Sequence, residues 1–168
     1  QWFTAQDRTV VTFMGFSGAG YEDPKAMLEH ARNILSQYDP QKAIVNIGAT
    51  SEGIGAVYEL AKKMGFSTTG IVSTQAKKYE AEIAAQVDRV FYIPDDSWGG
   101  LKEGSDQLSP TSEAMVRSSD VVVSIGGGAV SRDEMTAAQR LGKTVKYIPA
   151  DMNHEQALKK ARDKGLPV

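Results

Sequence analysis

The chain has 168 residues, 41% hydrophobic and 24% charged, with a formal net charge of −2; this is ordinary globular composition, long enough for one core burying roughly 70% of the unfolded chain's surface. With 19 basic against 21 acidic residues and no basic block, no electrostatic grip on nucleic acid is expected. The lack of cysteine excludes disulfides, a thiolate nucleophile and cysteine-bound zinc, the two histidines, His30 and His154, make no metal cluster, and no apolar run approaches the roughly 20 residues of a membrane helix.

The first β-branched run, TVVTFMG from Thr9, ends in the turn GFSGAG, Gly15 to Gly20. Asp23 and Pro24 then read as cap and first residue of a helix running to Tyr38. A second strand, KAIVNIGA from Lys42, ends in GATSEGIG, Gly48 to Gly55, and leads to a helix from Ile54 to Met64 closed by Gly65. STTGIVS from Ser67 and DRVFYIP from Asp88 are the third and fourth strands, with a helix from Gln75 to Gln86 between them. The segment from Ile93 to Thr111 exceeds the roughly 12 to 15 residues of common loops and reads as a flap or partner-contact segment carrying Trp98, or as a plain insertion. Its Asp95 and Asp96 suit either magnesium held through phosphates or turn chemistry. A helix from Ser112 to Ser118, the strand DVVVSIGGG from Asp120, a helix from Arg132 to Leu141 closed by Gly142, the strand TVKYIP from Thr144 and a helix from His154 to Lys164 complete the chain.

Alternating strands and helices predict one domain, residues 1–168, a three-layer α/β/α sandwich on a mostly parallel, Rossmann-like sheet. A parallel sheet places the turns after the first, second and fifth strands on one edge, where such folds bind ligands. Glycine lets backbone approach a ligand and the following helix offers unpaired amides. The candidate ligand-binding residues are therefore Gly15, Ser17 and Gly18; Gly48, Ser51, Gly53 and Gly55; and Gly126, Gly127, Gly128 and Ser131. The ligand expected is a small nucleotide or nucleotide derivative, with no cofactor, resident metal, nucleic acid or membrane as partner. After the last glycines come Arg132, Asp133 and Glu134, which read either as catalytic groups, Glu134 with Arg132, or as a charged first helical turn whose acids suit the helix dipole.

GATSEGIG is similar to the glycine turn of short-chain dehydrogenases, but its Gly48-to-Gly53 spacing is one residue too long and it follows the second strand. The next strand ends in GIVSTQ, without a ribose-binding acid, and the Tyr58 and Lys62 pair lies inside the helix after the turn. A closer resemblance covers nearly the whole chain. VTFMGFSGAGYEDPKAMLEHARNIL, IVNIGATSEGIGAVYELAKKMGFSTTGIV and SSDVVVSIGGGAVSRDEMTAAQRLGKTVKYI, in that order, resemble the strand, glycine and helix motifs of the LOG or lysine decarboxylase-like phosphoribohydrolases and the wider SLOG superfamily. In the motif P-G-G-x-G-T-x-x-E, Gly127 and Gly128 match the glycine pair, Ser131 the threonine and Glu134 the glutamate, while Gly126 replaces proline and Val130 replaces glycine. The arginine that precedes the family's fifth strand is replaced by Thr111 and its neighbour by Ser112, although Met115 and Asp120 match. The resemblance implies a homodimeric, cytoplasmic nucleotide-binding protein, Gln1 in place of Met leaving a processed or trimmed chain open. Without the arginine, a sensor or carrier is expected first and a phosphoribohydrolase using Glu134 second.

Overall fold

The computed structural model describes residues 8–16, 20–50, 52–78, 83–97, 99–100, 105, 107–153, 155 and 158–159. Expectations attached to Ser17, Gly18, Ser51, Trp98, His154 and most of the final helix lie outside the described residues. Six strands, β1 (Thr9–Gly15), β2 (Ala43–Ile47), β3 (Ser67–Ser73), β4 (Arg89–Ile93), β5 (Val121–Ile125) and β6 (Thr144–Ile148), form one sheet in the order β4-β3-β2-β1-β5-β6. Every pairing is parallel.

The helices are α1 (Pro24–Leu35), α2 (Val57–Lys63), α3 (Gln75–Lys78), α4 (Pro110–Ser118) and α5 (Ala129–Arg140), with a 3₁₀ turn at Gly53–Ala56. Strands β2 and β5 are buried along their whole length, as expected of runs without apolar/polar alternation whose faces are both covered, with Asn46 and Ser124 as their polar members. One face packs Phe13, Val45 and Val123 against Met27, Leu35, Val57 and Ala61 of α1 and α2. The other packs Val10, Ile44 and Val122 against Met115 and Val116 of α4 and Ala138 of α5. This is the predicted α/β/α sandwich. The chain winds from β1 to β4 in one direction, then returns past β1 and continues with β5 and β6.

Several local expectations meet the structure directly. Asp23 accepts from the Ala26 amide at 3.0 Å ahead of Pro24, and Gly65 and Gly142 end their helices with positive φ. Others are corrected. The helix expected from Ile54 begins as a 3₁₀ turn, in which Gly55 sits against the Thr50 carbonyl where a side chain would collide. Of the helix expected to reach Gln86, the described part ends at Lys78, and Ile83 instead pairs antiparallel with Thr50 while the Ala84 amide donates to Ala49. Tertiary pairing to the β2 turn has overridden helix propensity there. Tyr58 and Lys62 are structural. The Tyr58 hydroxyl accepts from Ala49 and donates to Thr69 inside the core, and Lys62 pairs with Asp88 at 2.8 Å.

The face under α4 is unusually polar. Thr12, Asn46 and Thr69 stand side by side in register across β1, β2 and β3, all buried. Asn46 accepts from Thr69 at 2.8 Å and donates to Thr12 at 3.2 Å and to the Met115 sulfur at 3.1 Å, so the row satisfies itself. Asp95 resolves as turn and cap chemistry. One carboxylate oxygen accepts from the amide and hydroxyl of Ser97, the other from the amide and hydroxyl of Thr111, in the first turn of α4. Partial burial opposes its ionisation, but the hydrogen bonds from Thr111 and Ser97 outweigh it and hold the carboxyl down at about 2. Ser109, in the N-cap position of α4, makes no cap bond, and its hydroxyl is buried without a partner. The Asp95→Ala variant should therefore lose about 1 kcal/mol in urea unfolding, whereas Ser109→Ala should be neutral or stabilising because it removes an unpaired buried hydroxyl. Equal losses from both would contradict this assignment of the cap.

Candidate ligand-binding site

The winding reverses between β1 and β5, and the turns that leave these two strands lie side by side at their carboxyl ends. Gly15, the last residue of β1, pairs with Ile125, the last of β5. Tyr21 spans the gap. Its hydroxyl donates to the Ile125 carbonyl at 2.6 Å and accepts from the Phe16 amide at 3.1 Å, in the space a Gly15 side chain would need. The Phe16 ring meets Tyr21 edge-on, with centroids 5.3 Å apart, and lies 2.6 Å from where a Gly126 Cβ would be. Gly126 and Gly127 have φ of 63° and 112°, in the region that favours glycine. A Cβ on Gly127 would stand 2.7 Å from the Ser131 Cβ and 3.4 Å from the Gly15 Cα.

The β2 turn joins the same edge through the Ile54 amide, which donates to the Phe16 carbonyl at 2.7 Å. Gly48 is half-buried, and Ala49 beyond it takes a φ of 64°, held by Tyr58 and Ala84. The segment after β6 closes the opposite flank. Met152 pairs antiparallel with Tyr21, the Glu22 amide donates to Asp151, and the Asn153 amide donates to Gly20.

Helix α5 starts at Ala129, three residues before the expected Arg132, with Gly128 as an extended N-cap. Its first turn holds no acid, and a Cβ on Gly128 would meet nothing within 4 Å. The first intrahelical bond runs from Arg132 to Gly128, so the amides of the preceding turn lack helical partners by geometry. At Gly15, Gly55, Gly126 and Gly127 the space left by the missing side chain is taken by this chain's own atoms. Among the described residues, nothing stands within 4 Å of a Cβ on Gly128.

Arg132 and Glu134 fall in the second turn of α5. Arg132 is exposed, whereas Glu134 is 7% exposed and hydrogen-bonded to the Ser112 side chain of α4, which also accepts from the Gly100 amide at 2.6 Å. The charged-first-turn reading is thereby corrected. Burial pushes the Glu134 carboxyl up to about 8, the bond from Ser112 pulls it down and neighbouring Asp133 pushes it up; no arginine acts on it. Arg117 is paired with Glu113 on the exposed side of α4. His30 is exposed on α1. Among the described residues no group of three or more His, Cys, Asp or Glu could hold a metal ion, and no helix is long and apolar enough to cross a membrane.

No protein-family model matches the sequence, and no curated protein matches it significantly. Solved structures do match. The molybdenum cofactor carrier protein from Chlamydomonas reinhardtii is 19% identical, with a TM-score of 0.60 over 95% of this chain and 87% of that one. A molybdenum cofactor binding protein from Rippkaea orientalis is 16% identical, with a TM-score of 0.62 over 94% and 85%. A structural-genomics target is 18% identical, with a TM-score of 0.57 over 92% and 99%. The chain shares the fold of these proteins, a parallel Rossmann-like sheet between two helical layers. Thr111 and Ser112, where the resemblance led to the expectation of an arginine and its neighbour, are both engaged internally, Thr111 with Asp95 and Ser112 with Glu134 and Gly100.

Tyr21, Phe16 and residues 151–153 build the site without having stood out in the sequence. A single aromatic between a glycine turn and an Asp-Pro cap carries no spacing signal, and its partner strand lies about a hundred positions away. The burial of Glu134 has a measurable consequence. Its folded value of about 8 lies above its ordinary 4.5, so the folded state holds the proton more tightly, and stability is fully present below about pH 4.5 and lost as pH rises towards 8. Urea unfolding should find Glu134→Gln close to wild type near pH 5 and more stable near pH 9, by on the order of a few kcal/mol. An unchanged pH slope in the variant would place the carboxylate in water.

Proposed function

We propose that the chain binds a nucleotide or another organic phosphate in the crevice between the β1 and β5 turns, as a carrier or sensor that does not transform it. The observation that carries this reading is the amino end of α5. Its first-turn amides follow a glycine without a side-chain cap, about which no described residue stands within 4 Å of a Cβ; no acid stands in that turn, and Gly15 at the end of β1 lies against Gly127. Such an end attracts anions through aligned dipoles and directed N–H groups. The names of two structural neighbours, a carrier and a binder of the molybdenum cofactor, support a holding role and add that cofactor to the ligands worth testing.

The surroundings of Glu134 favour binding over cleavage of an N-ribosidic bond. Cleavage develops positive charge on the sugar and calls for an ionised carboxylate facing it. Glu134 is instead buried, turned to Ser112 and held neutral below about pH 8.

Thermal unfolding with AMP, ADP-ribose, NAD, cyclic nucleotides and the molybdenum cofactor tests this reading, with released base measured in parallel. A cognate ligand at 100-fold over its Kd should add about 2.7 kcal/mol of stability, with no product. Base release abolished by Glu134→Gln would establish the hydrolase instead. Gly128→Asp separates binding from folding. No described residue crowds that position, and aspartate is a good N-cap, so the variant should be as stable as wild type or slightly more so. Its carboxylate would occupy the anion's place, so affinity should fall by about tenfold or more, which is about 1.4 kcal/mol. A Gly128→Asp protein that binds the phosphate ligand undiminished would remove the α5 amino end from the site.

A further inference from the structure

At the other edge of the sheet, where α4 and α5 end and β5 and β6 begin, the two helices leave a groove of about 430 Å³ between them. Its floor is apolar. Val116 is fully buried, Leu108 and Ala137 pack against the core of this face, and Leu141 at the rim is 47% exposed. Arg117 and Arg140 stand on the walls, and the Lys143 ammonium lies 3.4 Å from the Arg117 carbonyl at the same end. Among the described residues that line the groove, two arginines stand against one acid, Glu113, already paired with Arg117 at 2.9 Å, in a chain whose net charge is −2; Lys143 and exposed Asp120 lie beyond the rim at that end. Cations at helix carboxyl ends complement the dipoles. The helix dipoles do not explain a large apolar side chain left in water beside them.

We propose that this groove docks an acidic polypeptide segment, which seats a large apolar side chain on Val116, Ala137 and Leu141 and sets its carboxylates against Arg117 and Arg140. Local charge selects this occupant. A second copy meeting the patch through a two-fold axis would bring like charges face to face. The walls are open, with the Arg117 and Glu113 side chains more than half exposed, so a small organic acid would keep much of its surface in water. A peptide gains from the apolar floor as well as from the charged rim. This surface is independent of the phosphate site, which lies at the opposite sheet edge.

The test is a display selection of random peptides on the full chain, followed by binding measurements with enriched peptides on Arg140→Glu and Leu141→Asp. Both side chains are exposed, so the variants should stay folded, losing about 1 kcal/mol or less from an acid at the carboxyl end of α5, and keep wild-type affinity for the phosphate ligand. Enriched sequences should be acidic with an aromatic or leucine anchor. They should lose about tenfold in affinity on either variant, weaken as salt is raised, and regain binding to Arg140→Glu when a peptide carboxylate is exchanged for lysine. Enrichment of neutral or basic sequences, binding indifferent to both variants, or no enrichment would each overturn the proposal. The phosphate-site reading would stand or fall separately, on Gly128→Asp.

Discussion

A single hydroxyl joins the two strands between which the sheet reverses. Tyr21 donates to the last carbonyl of β5 and accepts from the first amide beyond β1. In a parallel sheet the turns on either side of the reversal diverge; here they are bonded to each other. The contacts around that bond follow from it. Phe16 covers Gly126, Gly15 lies against Gly127, and the Phe16 carbonyl takes the Ile54 amide, so the β2 turn is aligned to the same residue. Such a bond contributes about 1 kcal/mol net, but leaving either buried partner unpaired costs roughly 1 to 3 kcal/mol. Geometry at this edge is thus set by groups that never need to touch a ligand.

That arrangement explains what the sequence discloses and what it conceals. The strands were legible because each is a β-branched run bounded by turn residues, and the helix ends at Asp23, Gly65 and Gly142 because their chemistry is local. The start of α5 was not, since Arg132, Asp133 and Glu134 look like a dipole-matched first turn until the extended backbone of Gly128 is seen to begin the helix earlier. Likewise Ile83 and Ala84 carry helical pattern, yet bond to the β2 turn, a contact between segments more than thirty positions apart. That the turns after β1, β2 and β5 leave one edge of the sheet was readable from the alternation of strands and helices. The use of each glycine was not, because sequence does not say whether the space it leaves is filled by a ligand or by Tyr21, Phe16 or Ser131.

The two faces of the sheet divide the work. The α1 and α2 face is a continuous apolar core, and there Val57, Tyr58 and Ala61 are consumed in packing. The α4 and α5 face carries Thr12, Asn46, Thr69, Ser112, Ser119 and Glu134, buried and in hydrogen-bonded contact with neighbours. Polar networks of this kind specify one register when fully paired, and exact a penalty when a member is missing. In a fold where strand slippage by one residue would exchange the two faces, the Thr12, Asn46 and Thr69 row fixes β1, β2 and β3 against each other. The same alignment sets where their turns emerge.

Helix α5 connects these features, and its charge distribution bears on what its amino end can hold. A carboxylate buried one to two turns behind an anion, roughly 8 Å away, would repel it by about 2 kcal/mol at an effective dielectric constant near 20. Burial opposite Ser112 keeps Glu134 neutral at neutral pH, so that repulsion is absent. Asp133 is partly exposed and therefore better screened by water, and Arg132 stands beside it with the opposite sign. The positive end of the helix is consequently weakened little by the acids behind it, although the sequence there looks acidic. A catalytic carboxylate would need the reverse, an ionised group facing the ligand. In this chain the position that could have supplied one is buried beside Ser112, which leaves the amino end of α5 as the group the proposed binding reading relies on.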